Sequence, residues 1–183
     1  MKILKTAEEF FDWRSKTTSS VGFVPTMGAL HLGHLSLVEK SKELCELSVV
    51  SIFINPTQFS LNEDLESYPK TLENDIGLLN NLNVDVLFLP SEEEMYVNVK
   101  DVDIPPSGLF EKLEGQSRPH FFYGVTKIVS KLFNVVTPTH TFFGEKDAQQ
   151  LIIIKEMISK MNYNIILVSC PTIRDKNGLA LSS

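Results

Sequence analysis

The sequence predicts an α/β protein in which a parallel β-sheet is covered by helices on both faces. Three observations lead to this class. Strand-like and helix-like segments alternate from one end of the chain to the other. The run 48–54 is apolar and β-branched, which is typical of a strand buried on both faces. The chain has 183 residues, 43% of them hydrophobic, which is enough for one sizeable domain with its own core.

The elements of the first half follow from the spacing of apolar side chains. Recurrence at helical offsets predicts helices over residues 7–16, 34–47 and 69–82. Pro69 stands in the first turn of the third helix, where its missing N–H is not needed. Short apolar runs between these helices predict strands over residues 21–24 and 48–54.

The second half continues the alternation. The same criteria predict, in order, a strand over 84–89, a helix over 123–135, a strand over 141–143, a helix over 147–161 and a strand over 165–169. The stretch 92–117 is irregular and contains a loop at 105–108. No internal repeat, low-complexity tract or linker divides the sequence. We therefore expect one Rossmann-like domain over residues 1–183.

The composition excludes several classes of protein. The formal net charge is −6, whereas proteins that bind nucleic acids usually carry a basic stripe. No apolar run approaches the ~18 residues of a membrane span, and the amino terminus lacks the long apolar core of a signal peptide. Cys45 and Cys170 lie far apart and outside any metal-binding spacing, so we expect reduced, buried thiols. The sequence favours a cytoplasmic protein without nucleic-acid or membrane partners.

The segment 25–34 is the most informative part of the chain. It follows a predicted strand, begins a predicted helix and carries His31 and His34 on either side of Gly33. Ligands of parallel sheets bind beyond the carboxyl ends of the strands, and free N–H groups at a helix start attract anions. Gly28 and Gly33 allow a ligand to approach the backbone, and two imidazoles can donate to phosphate oxygens. The segment indicates a nucleotide site, although a chance surface pair or half of a metal site would show the same histidines.

Two further strand ends carry polar side chains. The segment 144–150 offers Lys146 for phosphate, Asp147 for a helix cap or a ribose hydroxyl, and Gln150 one helical turn farther on. Gln58 follows another buried strand, and its amide suits a small hydroxy acid better than a phosphate. Taken singly, the first segment also fits a capped helix with solvated charges, and Gln58 fits a turn after a strand.

The carboxyl-terminal stretch 173–183 combines an Asn177-Gly178 turn with two serines, Ser182 and Ser183. A flexible loop with serines and cations can close over a triphosphate and neutralise charge as a leaving group departs. A surface hairpin is the alternative for this stretch.

Taken together and in order, these segments resemble the pantothenate synthetase (pantoate–β-alanine ligase) family, which belongs to the nucleotidyltransferase superfamily marked by His-x-Gly-His. The motifs that carry the resemblance are 25–34, 52–59, 68–71, 143–150 and 178–183. The resemblance implies that the pantoate carboxylate attacks the α-phosphate of ATP in the presence of Mg²⁺, giving pantoyl adenylate and pyrophosphate. The amine of β-alanine then attacks the adenylate, giving pantothenate and AMP. A homodimer is also implied.

The resemblance assigns a role to each matching residue. His34, His31 and Lys146 would be catalytic, with His34 as the proton donor. The residues implied to contact ATP are Met27, Gly28, Ala29, Leu30, His31, Leu32, Gly33, His34, Gly144, Glu145, Lys146, Asp147, Ile173, Leu181, Ser182 and Ser183. Those implied to contact pantoate are Pro25, Thr26, Gln58 and Gln150, with Gln58 also contacting β-alanine. Asp75 is a candidate Mg²⁺ ligand, beside Asn74 where the family often has an acid.

The chain departs from the family pattern in two places. The family usually has Arg-Pro-Gly-His-Phe-x-Gly-Val, whereas here His120 takes the place of the glycine and Phe121 that of the histidine, after Arg118. The resemblance stops inside the second phosphate loop at Ser183, so we expect an amino-terminal domain without the smaller carboxyl-terminal lid domain. Two alternatives to the ligase stay open at this point. One is a different His-x-Gly-His nucleotidyltransferase, and the other is a domain that binds ATP and pantoate with negligible turnover.

Overall fold

A computed structural model describes residues 1–58 and 71–182. These residues form a six-stranded sheet in which every strand pair is parallel and the strand order is β1-β4-β3-β2-β5-β6. The strands are β1 (Lys2–Leu4), β2 (Val21–Thr26), β3 (Leu47–Ile52), β4 (Val86–Phe88), β5 (His140–Gly144) and β6 (Ile166–Cys170). The predicted parallel α/β class is confirmed.

Helices cover both faces of this sheet. They are α1 (Ala7–Ser15), α2 (Leu32–Leu44), α3 (Leu72–Asn81), α4 (Glu114–Ser117), α5 (Phe121–Val136) and α6 (Ala148–Lys160). Side chains of α1, α5 and α6, such as Phe10, Phe133 and Met157, form the core on one face. Side chains of α2 and α3, such as Val38 and Leu79, form a second core on the other. Parallel strands are therefore buried on both sides, as their apolar sequences require.

The structure differs from the predicted elements in places where local pattern is weak. β1 was not predicted, because it has three residues of which two are exposed and its stability comes from pairing with β4. Helix α2 ends at Leu44 because Cys45 is extended and Leu47 already pairs with β2. The stretch 92–117 contains a π-helical turn, Glu94–Asn98, besides α4. Pro69, predicted to begin the third helix, lies outside the described residues.

The sheet opens at its carboxyl edge between β2 and β5. β2 pairs with β3 at all six of its residues, whereas it pairs with β5 only at Gly22 and Phe23. The chain also changes direction here, since β3 and β4 lie on one side of β2, and β5 and β6 lie on the other. Such a switch point leaves a crevice beyond the strand ends, which is where open α/β sheets bind ligands.

Two general expectations from the sequence can be compared with this fold. Both cysteines, Cys45 and Cys170, are free and buried, as predicted. Within residues 1–58 and 71–182, no helix has the length and apolar character that crossing a membrane requires.

Candidate active site

A cavity of about 450 Å³ lies in the crevice between the carboxyl ends of β2 and β5. Its described lining includes fourteen of the sequence-predicted site residues. These are Pro25, Thr26, Met27, His31, Gly33, His34, Gln58, Gly144, Lys146, Asp147, Gln150, Ile173, Leu181 and Ser182. The three strand ends singled out in the sequence therefore converge on one cavity.

The two histidines form a reciprocal cap at the start of α2. Nδ1 of His31 accepts from the Gly33 N–H at 3.0 Å, and Nδ1 of His34 accepts from the His31 N–H at 3.3 Å. Their ring centroids are 4.1 Å apart. Because each Nδ1 is an acceptor, the proton of each neutral ring is on Nε2. Both rings can therefore use an Nε2–H group as a hydrogen-bond donor while they cap the helix.

Burial keeps the two rings neutral in the ligand-free protein. Burial, followed by the charge of Lys146, lowers the pKa of His31. For His34, burial is again the largest cause, and repulsion by His31 and Lys146 adds to it against the opposing charge of Asp75. Together they lower the pKa of His34 to about 4. A bound polyphosphate would oppose these effects, since a nearby negative charge favours the imidazolium form.

Gly33 leaves space for the His31 ring that caps α2. A Cβ atom at this position would lie 2.8 Å from Cε1 of His31 and 2.9 Å from its Nδ1. Any larger residue would push the His31 ring away from the helix start. The central glycine of the motif therefore makes room for the capping histidine, in addition to the ligand access predicted from the sequence.

Asp75 holds the loop that precedes the histidines. Its side chain is buried, with an exposed fraction of 1%. The carboxylate accepts from the N–H groups of Ala29 and Leu30, both at 2.9 Å, and from the Thr71 hydroxyl at 3.1 Å. The loop needs this support because Gly28 and Ala29 have φ values of +90° and +50°. Both oxygens of Asp75 thus support the loop, and Asp75 is not part of the described cavity lining; its role as an Mg²⁺ ligand stays a prediction.

Lys146 lies on the opposite side of the cavity, in the turn between β5 and α6. Its Nζ is 3.3 Å from the Ser182 hydroxyl and 3.5 Å from Oδ1 of Asp147. Asp147 was predicted as a helix cap. It occupies the N-cap position of α6, but its side chain makes no capping hydrogen bond there. Its carboxylate faces Lys146 instead, so the predicted position is right and the predicted capping contact is absent.

The carboxyl-terminal segment reaches the cavity as a hairpin. The Leu181 N–H donates to the Ile173 carbonyl at 3.0 Å, and Arg174 bridges to Ala180 in antiparallel fashion. Gly178 turns the hairpin with a φ of +85°. The segment therefore forms the hairpin that the sequence analysis gave as the alternative, and this hairpin brings Ser182 to Lys146. Ser183 lies outside the described residues.

Gln58 is held by a side chain that the sequence did not single out. Nδ2 of Asn55 donates to Oε1 of Gln58 at 3.1 Å, and Nε2 of Gln58 lies 2.7 Å from the Met27 sulfur. Asn55 is itself 1% exposed. Asn55 directly follows the predicted strand 48–54, so its position beside the site could have been inferred from the sequence. Its hydrogen-bond partners could not. Gln150 lines the cavity from α6.

The departure at 118–121 forms part of the cavity wall. His120 has a φ of +73°, in the left-handed region where a glycine is usual. The Arg118 guanidinium lies 3.7 Å from the centroid of the Phe121 ring and 3.0 Å from Oε1 of Glu114. The cavity is lined by the side chains of Arg118, Phe121 and Glu114. The sequence motifs did not indicate Glu114 as a lining residue.

Several residues implied to contact ATP are not part of the lining, as far as it is described. These are Gly28, Ala29, Leu30, Leu32 and Glu145. Leu32 is 65% exposed, and the N–H groups of Ala29 and Leu30 are engaged by Asp75. Apolar side chains of α5, of β5 and of the residue that follows β3 complete the wall, among them Val125, Phe142 and Phe53. Their helices and strands were predicted, but the face that each turns to the cavity was not.

The comparisons with known proteins agree with one another. The family model for pantoate–β-alanine ligase matches residues 2–183. The chain is 50% identical to the pantothenate synthetase of Acetivibrio thermocellus over 163 residues, which are 89% of this chain and 58% of that protein. It is 46% identical to the pantoate–β-alanine ligase of Saccharomyces cerevisiae over 197 aligned positions, covering 100% of this chain and 64% of that protein. The chain thus spans about three fifths of the length of these relatives.

A solved structure gives the same result at the level of the fold. The pantoate–β-alanine ligase of Francisella tularensis, crystallised in complex with β-γ ATP and β-alanine, superposes with a TM-score of 0.93 at 41% identity, covering 100% of this chain and 71% of that one. The family model and this superposition both extend over the region that contains the cavity. The chain therefore belongs to the pantoate–β-alanine ligase family.

Proposed function

We propose that this protein joins pantoate and β-alanine to form pantothenate at the expense of ATP, through a pantoyl adenylate. The observation that carries the proposal is a cavity whose described lining brings together two imidazoles, an ammonium group and the neutral amides of Gln58 and Gln150. His31, His34 and Lys146 suit phosphate oxygens, whereas Gln58 and Gln150 suit the oxygens of a small hydroxy acid. The ligands named for the Francisella tularensis relative, ATP and β-alanine, support two of the three substrates.

In the first step, a carboxylate oxygen of pantoate attacks the α-phosphorus of ATP. A new P–O bond forms, the bond between the α-phosphorus and the bridging oxygen breaks, and pyrophosphate leaves. Negative charge shifts onto phosphate oxygens, which the Nε2–H groups of His31 and His34 and the Nζ of Lys146 are placed to stabilise. The protein contributes position and electrostatic stabilisation, as phosphoryl and nucleotidyl transfers require.

In the second step, the neutral amine of β-alanine attacks the acyl carbon of the adenylate. The C–N bond forms, the bond from the acyl carbon to the phosphate oxygen breaks, and AMP leaves while the amine loses a proton. We propose that Gln58 contacts both pantoate and β-alanine, which its place in the cavity lining supports. Because AMP retains the oxygen that pantoate used in the attack, the path of that oxygen reports on the intermediate.

Mg²⁺ fits the cavity as an ion that arrives with the nucleotide. In nucleotide sites this ion is usually held by one or two carboxylates together with substrate phosphates. Among the described lining residues, Asp147 supplies a carboxylate beside Lys146. Over the same residues there is no group of three or more His, Cys, Asp or Glu side chains that could hold a metal by themselves. When bound, Mg²⁺ would neutralise charge on the phosphates, and Asp147 is the residue proposed to hold it.

The neutral amides argue against other nucleotidyltransferases. An acceptor that carries a phosphate would require Arg or Lys where Gln58 and Gln150 stand. Arg118 is the further cation of the described lining, and its guanidinium lies within 3.0 Å of Glu114. The amides therefore support a small uncharged or singly charged acceptor, as pantoate is.

The proposal also covers the compartment and the oligomeric state. Cys45 and Cys170 are thiols that a reducing compartment would preserve, which supports the cytoplasm as the site of the reaction. A homodimer is proposed only because the family resemblance implies one. Sedimentation velocity of the protein at its natural length tests the dimer.

A pyrophosphate-release assay tests the proposed function. The protein at its natural length is mixed with ATP, Mg²⁺ and pantoate, with and without β-alanine. We expect pantoate-dependent pyrophosphate in both mixtures and AMP release that depends on β-alanine. With ¹⁸O in the pantoate carboxylate, one labelled oxygen should appear in AMP. No pantoate-dependent pyrophosphate would refute the ligase. The same assay with the 183-residue chain, beside calorimetric titration of that chain with ATP and with pantoate, shows whether it binds both ligands with negligible turnover.

A further inference from the structure

Behind Gln58 lies a chain of hydrogen bonds that the proposed reaction has not used. Asn55 is fully engaged in it. Its Nδ2 donates to Oε1 of Gln58 at 3.1 Å and to the carbonyl of Gly124 at 3.2 Å. Its Oδ1 accepts from the hydroxyl of Tyr96, and the Thr57 hydroxyl lies 3.1 Å from the same oxygen. An amide side chain has two N–H donors and two acceptor positions, so every hydrogen-bonding position of the Asn55 side chain is occupied.

The Gly124 carbonyl on one side of the Asn55 amide and the hydroxyls on the other hold that amide in one orientation. A backbone carbonyl in a helix can only accept, so the reversed amide would place two oxygens against each other at this contact. The contact is rigid because α5 lies directly on the turn Pro56–Gln58. A Cβ atom at Gly124 would come within 2.4 Å of the Thr57 carbonyl oxygen and 2.9 Å of the Gln58 nitrogen.

The orientation of Asn55 in turn determines that of Gln58. Because Asn55 directs an N–H group at it, the Gln58 amide must turn its oxygen inward. Its NH₂ group then lies on the side of Met27 and the cavity. Gln58 is thus arranged to donate to an oxygen of the bound substrate. A Gln58 amide turned the other way would meet that oxygen with its own.

Tyr96 lies at the other end of this series of hydrogen bonds, and its own position is fixed by neighbouring contacts. It lies in the π-helical turn Glu94–Asn98, between two carbonyls that the buried ammonium of Lys131 binds. Nζ of Lys131 is 2.7 Å from the Met95 carbonyl and 2.5 Å from that of Val99. The same ammonium is 5.3 Å from the Tyr96 ring centroid. Its charge is matched by Asp101 at 2.7 Å.

We infer that Tyr96 is a positioning residue for substrate binding, which acts through Asn55 to orient the amide of Gln58 as a donor. The inference rests on the proposed function for the identity of the substrate, an oxygen-rich hydroxy acid. Burial raises the pKa of Tyr96, so that its hydroxyl keeps the proton that it donates to Asn55 at neutral pH. Loss of that hydroxyl would leave the Asn55 oxygen with Thr57 alone and allow the Gln58 amide to turn.

The test is Tyr96→Phe in the protein at its natural length, with separate KM values for pantoate and ATP. The ring and its packing against Phe53 stay, and only the hydroxyl is lost. We expect the KM for pantoate to rise about three- to tenfold, as for the loss of one hydrogen bond, and the KM for ATP to change less than about twofold. A general loosening of the fold would move both constants and the melting temperature together.

Tyr163→Phe is the matched control. The Tyr163 hydroxyl also donates to an asparagine, Asn134, at 3.1 Å, but it is not part of the cavity lining as described. We expect no change in either KM. If Tyr96→Phe does not fold, Thr57→Val removes the other hydroxyl near the same Asn55 oxygen and should shift the pantoate KM in the same direction.

The possible results separate the inference from the function on which it rests. An unshifted pantoate KM in a folded Tyr96→Phe protein, or equal shifts for pantoate and ATP, would overturn the positioning role alone. Absence of pantoate-dependent turnover in the unaltered protein would overturn the proposed function, and the inference with it.

Discussion

At the scale of single residues, His31 and His34 perform two tasks with different ring atoms. Nδ1 of each ring caps α2, which leaves Nε2 of each to serve the cavity. The helix cap therefore fixes the tautomer on which the proposed reaction depends. A side chain that caps equally well but has no second donor would keep the helix and lose the chemistry.

His34→Ala is expected to lower the rate of pantoate-dependent pyrophosphate release by roughly 100-fold or more, as for the loss of a transition-state donor. His140→Ala is the control, because His140 lies at the amino end of β5, away from the cavity lining as described. The measurement is initial rate at saturating ATP. An unchanged rate would remove His34 from the mechanism.

The pKa of about 4 for His34 predicts how stability depends on pH. Its ordinary pKa is about 6.5, so between pH 6.5 and 4 the unfolded chain binds a proton that the folded protein resists. The free energy of unfolding should therefore fall over this window, by on the order of 2–3 kcal/mol from His34. The lowered pKa of His31 acts in the same direction. Urea unfolding of the unaltered protein and of His34→Gln at pH 7 and pH 4.5 tests this, and equal pH dependence in the two would contradict it.

His120→Gly is expected to stabilise the protein. The φ of +73° costs a residue with a Cβ atom about 1–2 kcal/mol, which glycine avoids. Part of the gain is offset by the greater freedom of glycine in the unfolded chain, so we expect an increase in the free energy of unfolding of about 0.5–1 kcal/mol. His120→Ala keeps the Cβ atom and should give no such increase. Chemical denaturation of the two variants makes the comparison.

At the scale of elements, the loop between β2 and α2 owes its shape to a residue from another helix. Asp75 of α3 binds two consecutive N–H groups of this loop, at Ala29 and Leu30. Gly28 and Ala29 of this loop have positive φ values, a backbone conformation that the two hydrogen bonds to Asp75 help to hold. The position of His31 thus depends on α3, although the two are far apart in the sequence.

Asp75→Asn should weaken both stability and nucleotide binding. The amide nitrogen cannot accept, so one of the two loop N–H groups loses its partner at a cost of about 1–3 kcal/mol. Calorimetric titration with ATP, together with urea unfolding, measures both effects. Asp12→Asn is the control, since Asp12 pairs with Lys16 on the surface, where such pairs contribute little. Normal ATP affinity in the Asp75 variant would show that the loop keeps its shape unaided.

Sequence reasoning placed most helices and strands within a few residues, because their apolar periodicity is strong. It failed where stability comes from distant partners. β1 exists because it pairs with β4, and the π-helical turn in 92–117 is held by Lys131 from α5. Neither partnership leaves a local pattern. Asp75 was considered only as a metal ligand, because a sequence does not show which backbone groups a carboxylate meets.

At the scale of the whole molecule, the rule that ligands bind beyond the carboxyl ends of parallel strands correctly brought three separate segments, 25–34, Gln58 and 144–150, to one cavity. The rule needs only that the strands are parallel, so that their carboxyl ends meet at one edge, which alternation of strands and helices predicts well. The rule does not predict which other side chains form the walls of the cavity. Arg118, Phe121 and Glu114 reach the cavity through the path of 114–121, which includes the left-handed His120. The location of the site was predictable, and much of its lining was not.

Binding of ATP should stabilise the whole chain, because the cavity joins elements from both halves. At an ATP concentration 100 times Kd, the free energy of unfolding should rise by about 2.7 kcal/mol. Lys146→Met should lose most of this increase at the same concentration. Lys155→Met, a substitution at an exposed position of α6, should retain it. Thermal unfolding with and without ATP measures the difference, and equal shifts in the two variants would exclude Lys146 from the nucleotide site.

The divergence of β2 from β5 has a consequence for how such a protein can change over time. The gap that holds the cavity is created where backbone pairing stops after Gly22 and Phe23, in the most deeply buried part of the molecule. The groups that give the cavity its chemistry stand on turns and helix starts, where a substitution disturbs little packing. Mutation can therefore alter what is bound far more readily than where it is bound.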